Sequence, residues 1–404
     1  MGIIRKIGQK HESVQFVGKI FRRGFSRHFR HYVVQYRAPS VPAGVKPGSK
    51  TSGRLAPPPY LVPKGVEDMP GHRVFHWEVH ELGTLNEGKI ILYLANDLGH
   101  GGFCGLWIYY LNRLSFADRM GMAMCINTYH SAMYQEPTPY RGNRNNVFEY
   151  YFEQPGGISV DDALQSRAVI YDWNNPELGF EDFFHVGGSG DYLYKPEDIE
   201  AFSRINKKYI RFQPDVRERL EKDIIQLNQN KEKYIGVHAR GTDYKIGYKG
   251  HPAAITAEAY INAAEEAMAD IGAGKVFLAT DDKGILDAFI RHFGDKLLYF
   301  KDVVRSEGTV WNCEFDQDRP HHRFTLGYEI LRDTYVLGSG DGLICGLSYV
   351  GFMAQVIKKS KDENYEVIHC INPGLNEKGI DLTSKNARDQ VRAMWEKAVQ
   401  EKEK

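Results

Sequence analysis

Residues 234–243 read YIGVHARGTD and residues 275–282 read KVFLATDD. Each opens with a short, mostly apolar run, Tyr234 to Ala239 and Lys275 to Thr280, and acquires its charged groups at the carboxyl end. A run of that length and β-branched character suits a buried strand. Between them, Thr256 to Ile271 has the apolar spacing of an amphipathic helix, with Thr256 as its N-cap. The alternation continues through a helix over 283–293, a strand over 296–300 and a helix over 328–337. A strand over 342–345, a helix over 348–358 and a strand over 365–371 complete it. Strands that alternate with helices in this way predict a parallel sheet with helices on both faces.

Working outward, the first half repeats the theme more loosely. Residues 89–95 suit a buried strand, followed by a glycine-rich loop (Gly99, Gly101, Gly102, Gly105) and a helix over 106–120. Residues 123–129 and 168–173 suit strands, and 196–205 and 214–229 suit helices. With 404 residues, two domains are expected. The predicted organisation is a basic N-terminal arm (1–37), a Pro-rich linker (38–71), an N-terminal α/β domain on the acceptor side (72–220), a donor domain (221–375) and a C-terminal helix (376–404). The linker boundary rests on eight prolines between Pro39 and Pro70.

Charge excludes some functions. The 52 Lys and Arg balance 52 Asp and Glu, which removes a global electrostatic case for nucleic-acid binding. The apolar stretch from Gly342 to Ile357 is too short and too interrupted to span a bilayer. Five scattered cysteines without a CxxC pair suit a reducing compartment, and the first residues lack the apolar core of a secretory signal. A cytoplasmic location is expected. Residues 1–37 mix Arg22, Arg23 and Arg27 with Phe21, Phe25 and Phe29. They fit either an arm on an anionic membrane surface or one packed on its own protein.

Ligands of open α/β sheets bind outside the carboxyl ends of the strands. Four such ends carry suitable groups. His238-Ala239-Arg240-Gly241-Thr242-Asp243 presents a guanidinium fork suited to phosphate, with a carboxylate for acid–base work. An Arg–Asp pair closing the loop is the ordinary alternative. Asp281 and Asp282 repel each other, so one needs a cationic or hydroxyl partner while the other caps the next helix. Asp333 precedes the strand 342–345, and Ser348 opens the helix after it, as an anion site or a plain cap. The glycines at 99–105 allow close backbone approach to a phosphate or sugar without matching a dinucleotide or Walker loop. Asp316, Asp318, His321 and His322 read as a polar loop more readily than a metal cluster, and Trp311, Tyr150, Tyr151 and Phe152 as core more readily than a sugar platform.

The order of these groups resembles the α1,6-fucosyltransferase family, which includes the N-glycan core enzyme and a bacterial nodulation-factor enzyme. The shared pattern is His238, Arg240, Thr242 and Asp243, then His251-Pro252 before a helix carrying Tyr260. Ala279 to Asp282 follow, and then Asp333, Asp341, Cys345 and Ser348. NVFEYYFEQP (146–155) also looks like glycosyltransferases of this kind. The resemblance implies a GT-B-like fold of two Rossmann-like domains facing across a cleft. It also implies GDP-fucose as donor, inversion at the anomeric carbon, and no metal or other cofactor. It gives Arg240 the β-phosphate, Asp333 the guanine N1 and N2 hydrogens and His238 a backbone contact at the base. Asp281 and Asp282 would organise the site, Ser348 and Tyr349 would lie at a phosphate, and Gly99 to Gly105 would close over the donor.

Two departures matter. The family's paired arginines become Arg240-Gly241, and its Lys after the Asp becomes Tyr244, with Lys245 one place later and no Glu before His251. Asp243 is therefore the expected base, helped by Lys245. Tyr349 stands where a Ser is usual. The expected partners are GDP-fucose or a related GDP-sugar, an oligosaccharide or lipid-linked glycan acceptor and, through residues 1–37, an anionic membrane surface at the inner face. The acceptor-binding residues stay open. So does the donor, with a GDP-hexose or GDP-heptose as the alternative, and a non-catalytic nucleotide-sugar-binding partner remains a second reading.

Overall fold

The computed structural model describes residues 79–96, 102–128, 133–140, 146–172, 195–307 and 319–380. The basic arm, the linker, Gly99, Gly101, Trp311, Asp316, Asp318 and residues 381–404 lie outside the described residues.

The first unit holds β1 (Ile91–Asn96), α1 (Phe103–Arg119), β2 (Ala123–Thr128), the short helices α2 (Val147–Tyr151) and α3 (Val160–Ala163), and β3 (Val169–Asp172). Its strands pair in parallel in the order β2-β1-β3. Two helices follow, α4 (Pro196–Tyr209) and α5 (Pro214–Leu227), each started by a proline in its first turn, where the missing N–H costs no bond. The second unit runs β4 (Tyr234–Ala239), α6 (Ala257–Ile271), β5 (Lys275–Thr280), α7 (Lys283–Phe293), β6 (Leu297–Leu298), α8 (His322–Leu337), β7 (Gly342–Gly346), α9 (Tyr349–Ser360) and β8 (Val367–Ile371). Its five strands are all parallel, in the order β6-β5-β4-β7-β8. The α/β reading with parallel sheets is borne out. Thr256 caps α6 as predicted, its Oγ1 accepting from Ala259 N at 3.2 Å.

Burial follows the sheet. Every residue of β4 is buried, as expected of a central parallel strand covered on both faces. One apolar cluster spans both units, joining Trp107 and Leu111 of α1 and Phe202 of α4 to Tyr328 of α8 and Phe352 of α9. Trp107 Nε1 donates to Asn206 Oδ1 at 3.0 Å, so the indole's polar atom is satisfied within that core. Tyr150, Tyr151 and Phe152 are each 1% exposed, which settles them as core. Tyr151 stacks on Phe324 at 5.3 Å and donates to its carbonyl at 2.9 Å, fixing the start of α8. No helix among the described residues is long and apolar enough to cross a membrane.

Two elements differ from expectation. Helix α8 begins six residues before the expected Tyr328, because Phe324 N finds Glu136 Oε1 at 2.7 Å, a tertiary partner in place of a local cap. Strand β6 keeps only two of the five residues expected. At the other end of the chain, residues 372–380 clamp the loop 247–253 through bridges Tyr248–Ile380 and Pro252–Leu375.

Candidate functional site

In the second sheet the chain reverses its direction of winding between β4 and β7, the neighbours from which it proceeds to opposite edges. Loops leaving two such strands diverge and open a crevice at their carboxyl ends. The crevice here is bounded by Arg240, which follows β4, and by Ser348, which follows β7. The two sides are tied together by a 3.0 Å hydrogen bond shared between Ser348 Oγ and His238 Nδ1. Ser348 also caps α9, its Oγ accepting from Gly351 N at 3.2 Å. A second tie runs from Tyr244 OH, which donates to Leu347 O at 2.5 Å. Tyr244, a departure from the family pattern, thus braces the crevice.

Asp281 is the hub of the β4 side. Its carboxylate accepts from Gly241 N at 2.9 Å and Thr242 Oγ1 at 2.7 Å, and lies 3.3 Å from Arg240 Nη1. Burial alone would raise its pKa, but Arg240, Thr242 and Gly241 together outweigh that and hold it below the usual carboxylate range. Its contribution to stability is therefore full above about pH 4, the unfolded value, and is lost as pH falls through the folded one. Burial, and then the Arg240 charge, push His238 down to about 4. The imidazole is neutral at physiological pH and adds no charge beside the guanidinium.

Asp282 has the other role. It is the N-cap of α7, Oδ1 accepting from Ile285 N at 3.0 Å, and its other oxygen holds Lys245. Asp282→Ala is expected to destabilise the fold by about 1–2 kcal/mol, the cost of a lost cap, read as a lower thermal midpoint. Lys245 is half-exposed and, with Arg240, Gly241, Thr256 and Asp282, lines a cavity of about 320 Å³ beside the loop. Asp243 opens the 3₁₀ turn Asp243–Ile246, and its side chain lies outside the described residues.

The first unit meets this crevice with the N-terminus of α1. Gly102 is its N-cap residue, Cys104 Sγ contacts Thr334 Oγ1 at 3.4 Å, and the backbone of Gly105 lies under the Tyr349 ring. Burial pushes the Cys104 thiol up to about 12, so it is a packing residue.

Asp333 stands apart. It lies on α8 and makes no hydrogen bond or ion pair among the described residues, and burial raises it to about 7 against the pull of Arg332 and Arg305. A carboxylate whose folded pKa is raised costs stability as pH rises from about 4 to the folded value. Asp333→Asn in the ligand-free protein is expected to be about 1–2 kcal/mol more stable at pH 8 after allowing for partial exposure, with the difference gone below pH 4. Denaturant melts across pH measure it. Such a group is more often kept for binding than for folding.

Arg240, Asp281, Asp282, His238 and Ser348 lie at one edge of the second sheet, Lys245 joins them through Asp282, and Tyr349 packs against Gly105 of α1. Sequence reading missed Tyr244 and Arg305. Arg305 lies on the loop after β6, whose Ser306 N donates to Asp281 O at 2.9 Å. Among the described residues no group of three or more His, Cys, Asp or Glu is placed to hold a metal ion.

No protein-family model and no curated protein sequence matches this chain. Among solved structures it is similar to the α-1,6-fucosyltransferase NodZ soaked with GDP-fucose, at 16% identity and TM-score 0.39, over 66% of this chain and 92% of that one. It is also similar to fucosyltransferase NodZ from Bradyrhizobium, at 17% identity and TM-score 0.38 over the same shares. A third is POFUT1 in complex with GDP, at 12% identity and TM-score 0.36, over 70% of this chain and 98% of that one. Likeness of this degree assigns neither activity nor ligand.

Proposed function

We propose that this chain is an inverting, metal-independent glycosyltransferase that moves L-fucose from GDP-fucose to a glycan hydroxyl in the synthesis of a bacterial surface polysaccharide. The observation that carries the reading is the crevice between β4 and β7, with Arg240, held by Asp281, at the end of β4 and Ser348 opening α9 after β7. The motif order from His238 to Ser348 supplies the resemblance to fucosyltransferases.

The acceptor hydroxyl attacks the anomeric carbon from the face opposite the diphosphate, and the bond from that carbon to the β-phosphate oxygen breaks. Negative charge develops on the β-phosphate as GDP leaves. In this scheme Arg240 and the positive end of the α9 helix dipole meet it, which is electrostatic stabilisation of a leaving group. In this scheme their positive charge takes the place of a metal ion at the diphosphate. The acceptor proton passes to Asp243 in this scheme, with Lys245 biasing the local potential. Asp333 accepts the guanine N1 and N2 hydrogens, so GDP binding ionises it and releases a proton between about pH 5 and 7. Calorimetry in buffers of different ionisation enthalpy reads that release.

Incubation with GDP-β-L-fucose in EDTA tests the reaction, with water as the slow acceptor. Free α-L-fucose appearing first by NMR is the expected result. A β product or a metal requirement contradicts the mechanism, and turnover of another GDP-sugar alone moves the donor. The basic arm serves to hold the enzyme at an anionic membrane, near a lipid-linked acceptor on the cytoplasmic side. Deleting residues 1–37 is expected to abolish sedimentation with anionic liposomes, and unchanged sedimentation rules the role out.

A further inference from the structure

Strands β7 and β8 pair in parallel with Cys345 directly opposite Cys370. Residues in register on neighbouring strands project to the same face of the sheet, and their Cα atoms lie about 4.8 Å apart, within the span that a disulfide bridges. That face changes character between the two strands. Over β7 it is closed, since Cys345 is fully buried and packs in a cluster with Leu343 and with Ala354 of α9. Over β8 it is open, with Ile368 45% exposed and Cys370 exposed as well. β8 is an edge strand, paired with β7 alone.

Two adjacent thiols, one sealed and one open to solvent, are the parts of a dithiol that a reagent can oxidise from outside. The hydrogen bond between them holds the Cys370 thiol below its ordinary value against the effect of burial. The same bond, and then burial, put Cys345 well above its own. The accessible sulfur is thus the better nucleophile, and the buried one is screened from any reagent in solution. No CxxC spacing marks the pair, because strand register brings the two residues together across 25 positions of sequence.

We infer that Cys345 and Cys370 form a thiol–disulfide exchange site that takes a small disulfide, of which oxidised glutathione is the type, as its reagent. The Cys370 thiolate attacks one sulfur of the reagent, the S–S bond there breaks, and one glutathione leaves as a thiol after taking up a proton. Cys345 then attacks Cys370 Sγ and passes its proton to the second departing glutathione. The mixed disulfide breaks and an interstrand bond between β7 and β8 forms. Two cysteine thiols lose two electrons and two protons, and the reagent is reduced to two thiols. The new bond ties the edge strand to β7, on which Cys345 is also in register with His238 of β4. The residues that follow β8 hold the loop 247–253. The site stands whatever the crevice binds.

The test is to incubate the reduced full chain with excess oxidised glutathione at neutral pH, quench with acid, and map the peptides by mass. Wild type is expected to lose two hydrogens and to yield a cross-linked peptide pair holding Cys345 and Cys370, with no glutathione retained on either. Cys345→Ala is expected to stop with one glutathione on Cys370. Cys370→Ser is expected to leave Cys345 a free thiol. Wild type in which both thiols stay free, in which Cys370 keeps its glutathione, or in which Cys370 joins another cysteine overturns the inference. If Cys345→Ala does not fold, Cys345→Ser takes its place, and the wild-type map decides without either.

Discussion

Replacing Arg240 by Ala is expected to lower kcat about 10²- to 10³-fold, the usual loss when one fixed donor to a developing charge is removed. The fold should tolerate the change. Asp281 keeps Gly241 N and Thr242 Oγ1, so its carboxylate is not stranded when the guanidinium goes. Arg240→Lys should recover only part of the loss, because an ammonium restores the charge without the planar fork. Steady-state rates with GDP-fucose, alongside thermal midpoints, separate the two effects. A small change in rate with a large fall in midpoint would mean that Arg240 is an ordinary ion-pair partner of Asp281.

Gly241→Ala is expected to cost about 3 kcal/mol, at the upper end of the overpacking range, and to lower the rate about 10²-fold through displacement of Arg240. A Cβ at position 241 would lie 2.3 Å from Asp282 Cβ and 2.8 Å from its Oδ2. Asp282 cannot retreat, since it is 1% exposed and fixed by Ile285 N and Lys245. The backbone of the Arg240 loop must move instead. Urea unfolding of Gly241→Ala with an unchanged midpoint would show that the loop relaxes freely.

The alternation of strands and helices was legible because each element from Tyr234 onward is a short apolar run punctuated by charge, and burial alone fixes such elements. The start of α8 was not, since Phe324 depends on Glu136 and Tyr151, distant in sequence. Strand β6 shrank because it pairs on one side only, with β5. At the site, Arg240, Asp281, Asp282 and Ser348 could be found because strand order carries them to one edge. The division of labour between the two aspartates was also readable, because a residue just before a helix is a natural cap. Tyr244 and Arg305 could not be found that way. One works through a carbonyl on another loop, the other lies on a loop without regular structure, and neither leaves a pattern in the local sequence.

The most direct test of the account is titration calorimetry of the wild-type chain and Arg240→Ala with GDP and with UDP, in EDTA. Binding of GDP alone, indifferent to EDTA and weakened in Arg240→Ala, is the result predicted. Absence of GDP binding, a preference for UDP, or GDP affinity unchanged by the loss of Arg240 would contradict the assignment of the crevice.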